Sequence, residues 1–145
     1  MKFLYLPIFY LISSFLTASL IILINLLTNL VWLTSQGFDI SIKMFFELLL
    51  RDISNGLLFL AIILITFFLG FLITAIVRYF FSIKRTLSYS ISGLASIFVM
   101  LNLTTLVFDG AILIAGMRYF LGFLLFCISG LFGGYLYGVM LNKVF

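Results

Sequence analysis

The chain contains no histidine and a single cysteine, Cys127. Zinc centres, histidine-ligated haem, iron–sulfur clusters and internal disulfides all need ligand or thiol sets that this inventory does not supply, so no cofactor is expected. Charge is scarce as well: four acidic and eight basic residues make up 8% of 145 positions. Proline occurs once, at Pro7. Apolar side chains fill the space instead, with 66% hydrophobic residues, 19 phenylalanines and a mean hydropathy of +1.41. That balance excludes an ordinary soluble domain and predicts an integral membrane protein.

The formal charge of +4 would suggest a nucleic-acid partner in a soluble protein. Here the basic residues stand singly between apolar runs. The expected partner is therefore the lipid bilayer with its anionic surface, and nucleic acid is not expected.

No charged residue occurs between Phe3 and Phe38. Most of that stretch as a helix would be about 45 Å long, against the ~30 Å of a hydrocarbon core. The first span is expected at about 7–33, tilted or projecting, with Pro7 in its first turn and Trp32 as an interfacial anchor. Thr17-Ala18-Ser19 loosely resembles a signal-peptide cleavage site. The apolar run continues past it to Leu33, beyond an h-region of ~7–15 residues, so a span is favoured. Further spans are expected at about 57–77, 89–108 and 119–141. The connections are too short for a separate folded unit, which predicts a single membrane domain over 1–145.

Four crossings place both termini on one side. Lys2, Arg78, Lys84, Arg85 and Lys143 fall there, against Lys43, Arg51 and Arg118 on the other side. The positive-inside bias predicts cytoplasmic termini. A composition rich in Phe, Ile and Leu suggests an AT-rich genome, hence a bacterial inner membrane or, as the alternative, an organellar one.

Between the first two spans, Asp39, Lys43, Glu47 and Arg51 recur every four residues with alternating sign. That ladder favours a helix, and apolar residues cover most of the remaining circumference. The expectation is a short amphipathic interfacial helix at about 39–53, stopped by Ser54-Asn55-Gly56. The expected fold class is thus an all-α integral membrane four-helix bundle with this interfacial helix between its first and second spans. The connection from Asp109 to Arg118 is unusually apolar and is expected to dip into the interface. Alternatively, the fourth helix starts near Ile112 and carries Arg118 into the membrane, where Asp109, Glu47 and Asp52 are candidate partners.

Gly130, Gly134 and Gly138 form two overlapping small-xxx-small units, the strongest motif in the chain. Thr66, Gly70 and Thr74 make a weaker stripe that could be its counterpart. Whether the glycine face meets a helix of the same chain or of a second chain stays open at this level. Asn25, Asn29, Asn102, Thr105, Asp109 and Arg118 fall toward the outer half. They serve interhelical hydrogen bonding or, functionally, a small outward-opening polar cavity. The serines have no histidine or lysine beside them in any span, Cys127 reads as a packing residue, and Glu47, Asp52 and Asp109 read as solvated or paired. The expected function is a non-enzymatic accessory or scaffold subunit, in a homo-oligomer or a larger membrane complex. The alternative is a small carrier or channel.

Overall fold

The computed structural model describes residues 2–107, 109 and 114–145. Phe108, with which the third expected span ends, and residues 110–113 of the apolar connection lie outside them. Four helices are long and apolar enough to cross a membrane: α1 (Tyr5–Ser35), α2 (Ile42–Phe80), α3 (Arg85–Val107) and α4 (Phe120–Val144). Short 3-10 turns cover Lys2–Leu4 and Ala115–Arg118. In lipid no water can satisfy free backbone N–H and C=O groups, which drives each apolar run into a helix that pairs its own.

The helices run up, down, up, down around a four-cornered bundle. Each packs against the next, α4 closes on α1, and α1 and α3 stand on a diagonal. Phe3 and Phe145 meet at the end where the termini lie, with ring centroids 6.2 Å apart. At the same end the Arg85 guanidinium donates to the Leu141 carbonyl at 3.1 Å, so a cation caps the C-terminus of α4. Phe71 of α2 stacks on Tyr137 of α4 at 4.6 Å, which fills the centre across the other diagonal.

α1 ends in a Schellman motif. Gly37 takes φ +82°, Phe38 donates to the Leu33 carbonyl and Gly37 to that of Thr34. Three residues further on, the Ser41 hydroxyl accepts the Met44 N–H at 3.2 Å and starts α2.

α2 corrects the expectation of a separate interfacial helix. It is one helix of 39 residues, about 58 Å long, and it runs without a break through Ser54-Asn55-Gly56. None of those residues forces a stop. Ser54 donates to its own Leu50 carbonyl within the helix, and Gly56 is buried where Ile22 of α1 passes. Asp39 falls outside the helix, before the Ser41 cap, so the charge ladder keeps only Lys43, Glu47 and Arg51 on α2.

Helix lengths now differ in a useful way. α3 and α4 have 23 and 25 residues, about 34 and 37 Å, close to one hydrocarbon thickness. Ser92 and Ser96 of α3 lie beside Gly70 of α2, so Val107, 11 to 15 residues further along antiparallel α3, reaches the level of about residues 55–59. Residues 42–56 of α2 therefore rise about 22 Å past the end of α3. The last turns of α1 run beside them, so the α1/α2 hairpin extends past α3 at the end opposite the termini, with the Ala115–Arg118 turn packed against its α1 arm.

Candidate functional site

Where the hairpin leaves the bundle, one asparagine joins three segments. Asn25 of α1 donates through Nδ2 to Asp52 Oδ2 of α2 at 3.3 Å. Its Oδ1 accepts the Gly116 N–H of the Ala115–Arg118 turn at 3.2 Å. Asp52 is only 7% exposed, and burial pushes its carboxyl above the ordinary value of 3.8, with Arg51 and Asn25 pulling the other way. It stands five positions before Leu57, where the expected second span begins. Close by, the Arg118 guanidinium sits 5.0 Å from the Trp32 ring centroid, a cation–π contact that holds the turn against α1. The exposed Arg118 thus uses an aromatic face and does not enter the bundle.

The other candidate cavity residues are dispersed. Asn29 is buried on α1. Asn102 is exposed on α3 and donates to its own Phe98 carbonyl at 2.7 Å, while Thr105 donates to the Asn102 carbonyl. Since α3 stands diagonally from α1, these two side chains are not brought to Asn25. Asp109 is exposed and adopts φ +50°, a left-handed conformation that aspartate tolerates, two residues after α3 ends. Lys43, Glu47 and Arg51 are all exposed on the projecting part of α2. Beside them Ile42, Phe46, Leu50 and Ile53 recur at spacings of four, four and three, and are exposed as well. The hairpin thus presents an apolar stripe flanked by charge.

The glycines of α4 lie close to neighbouring helices. Gly130, Gly134 and Gly138 face α3: a Cβ at Gly130 would come within 2.6 Å of the Gly93 carbonyl oxygen, one at Gly138 within 2.8 Å of Thr86 Cα, and one at Gly134 would collide with the Tyr89 carbonyl. Gly133, on the adjoining face, meets Thr17 of α1, and Ser13 Oγ donates to the Gly133 carbonyl at 2.6 Å. Thr66, Gly70 and Thr74 lie elsewhere. They face Ser92 and Ser96 of α3 across a lateral groove of about 400 Å³.

Some participants carry little mark in the sequence. Asp52 reads there as one more surface acid, and Tyr10, Phe71, Tyr89 and Tyr137 lie on four separate stretches of chain. In the fold Tyr89 meets Phe71 at 5.4 Å and Tyr137 at 5.0 Å, both edge-on, and Tyr10 meets Phe71 at 6.3 Å. Interior tyrosines in otherwise apolar spans were the available signal. Among the described residues no three of His, Cys, Asp and Glu stand together as metal ligands.

The architecture belongs to the helical membrane bundles, with four candidate spans. No protein-family model, curated protein or solved structure matches the chain.

Proposed function

We propose that the protein is a non-enzymatic membrane subunit that binds another component of an assembly through the projecting α1/α2 hairpin. The single observation that supports this reading is the hairpin itself: a helical pair extending about 22 Å past the end of α3, with an exposed apolar stripe. Bonds from Asn25 to Asp52 and Gly116 brace its base, so little ordering entropy remains to oppose docking. The glycine face of α4, the other surface that could have served assembly, is in this reading the packing motif that joins α4 to α3. Both termini then lie in the cytoplasm with Arg78, Lys84, Arg85 and Lys143, and the hairpin lies on the opposite side of a bacterial inner or organellar membrane.

The test is a photo-crosslinking amino acid at Phe46, compared with one at Ile128 on the exposed side of α4. A discrete adduct with a second polypeptide at Phe46, absent at Ile128, is the expected result. Native mass measurement in mild detergent showing only the lone chain, with no adduct at Phe46, would contradict the reading. The carrier alternative draws no support from the positions of Asn102 and Thr105.

A further inference from the structure

The lateral groove between α2 and α3 has the periodicity of two helices and opens toward lipid. From α2 it is lined by Thr66, Gly70 and Thr74, and from α3 by Ser92, Ala95 and Ser96. Ser92 and Ser96 are 8% and 7% exposed, and neither hydroxyl donates to any acceptor among the described residues. Their positions put them about 10 and 16 Å along α3 from its start at Arg85. At that depth acyl chains offer no hydrogen-bond acceptor, and an unmatched hydroxyl is costly.

The same face carries the complementary groups. Thr66 Oγ1 donates to the Ile62 carbonyl and Thr74 Oγ1 to that of Gly70, so each threonine has committed its proton and keeps oxygen lone pairs free. One groove therefore holds two unused donors and two unused acceptors, and within the chain they do not pair. Depth matches as well. α2 and α3 are antiparallel, with Ser92 and Ser96 both beside Gly70, so Ser96 lies on the Thr66 side of that glycine and Ser92 on the Thr74 side. A two-fold axis along the membrane normal keeps every residue at its own depth and brings each serine toward the matching threonine of the other copy. Leu69, Ile73, Val99 and Leu103, all about half exposed at the rims, supply the apolar bulk to fill the facing groove.

We infer that the α2/α3 groove is a self-association surface that takes a second copy of this chain, closed by hydrogen bonds from Ser92 and Ser96 to Thr74 and Thr66 across the two-fold axis. The pairing goes beyond the subunit reading and uses a different surface from the hairpin, so either can fail without the other.

The experiment uses the full chain in lipid nanodiscs and vesicles, in a Cys127→Ser background. Ala95→Cys is expected to give an oxidative crosslink at twice the chain mass, and Ile128→Cys, on the exposed side of α4, is not. Ser92→Ala with Ser96→Ala is expected to weaken dimerisation, read by energy transfer on dilution into lipid. The loss should lie between about eight-fold, if one serine of each copy bonds, and about fifty-fold, if both do, since the two-fold axis forms the bonds in pairs. Ala95→Phe, which fills the groove from an exposed position, should give a folded monomer. Three results would overturn the inference: a wild-type monomer at every protein-to-lipid ratio, a serine double variant that dimerises as the wild type does, or a different polypeptide crosslinked at Ala95→Cys in place of the second copy.

Discussion

Asn25 and Asp52 are held side by side by a bond of 3.3 Å, one from each arm of the projecting hairpin, and the same asparagine accepts the Gly116 N–H. One side chain therefore ties α1, α2 and the turn before α4. Asn25→Ala removes both bonds and leaves a buried carboxylate and a backbone N–H without partners. The expected loss is about 2–4 kcal/mol, from about 1–3 kcal/mol for each group left unsatisfied with partial relief by water. Thermal unfolding in mild detergent measures it, with Asn25→Gln as the variant that keeps both functions.

Asp52 also sets a pH dependence. Its folded carboxyl titrates above the unfolded one, so the contribution to stability is fully present below the ordinary value of 3.8 and is lost as pH rises through the raised folded value. Stability is thus expected to decline with rising pH just above that ordinary value. Asp52→Asn keeps an acceptor for Asn25 and should flatten this part of the profile. An unchanged slope in the variant would mean that the carboxyl is hydrated.

Trp32 is the only tryptophan of the chain, so its emission reports the Arg118 contact directly. Arg118→Ala is expected to shift the Trp32 emission maximum and to cost about 0.5–1 kcal/mol. Arg118→Lys should shift it less. A spectrum unchanged by Arg118→Ala would place the guanidinium away from the ring.

Two glycines separate packing from backbone conformation. Gly134→Ala puts a methyl against the Tyr89 carbonyl and should force α3 and α4 apart, at about 1–3 kcal/mol, with no relief from Gly134→Ser. Gly37 has open space around it but φ +82°, so Gly37→Ala should cost about 1 kcal/mol and Gly37→Asn much less. Unfolding of the four variants in one detergent gives the comparison.

Much of this fold was legible because apolar runs bounded by charge are long-range information written locally. The second, third and fourth expected spans fall within or close to α2, α3 and α4, and Trp32 lies in the last turn of α1. The separate interfacial helix was misread for a physical reason: Ser54-Asn55-Gly56 has turn composition, but a stop needs a residue to leave helical geometry, and α1 packs on Gly56 while it stays helical. Asn25 stood out as polar in an apolar run, yet its partners Asp52 and Gly116 are 27 and 91 positions away. Periodicity within one helix cannot specify the rotation of that helix about its axis. For the same reason Asn102 could be grouped with Asn25 by depth while the fold puts them on diagonal helices.

The account rests on α2 being one helix whose first third projects from the bundle. A nitroxide scan along residues 42–80 in nanodiscs, reading oxygen against a water-soluble nickel chelate, measures depth and exposed face at each position. The expected result is one uninterrupted helical period through residues 54–56, with depth increasing from about Leu57 to a maximum near Phe67 and falling again toward Arg78, and positions such as Glu47 well outside the hydrocarbon. A phase break at residues 54–56, followed by constant shallow depth over 42–53, would instead describe a separate helix lying on the membrane surface and would contradict the projecting hairpin.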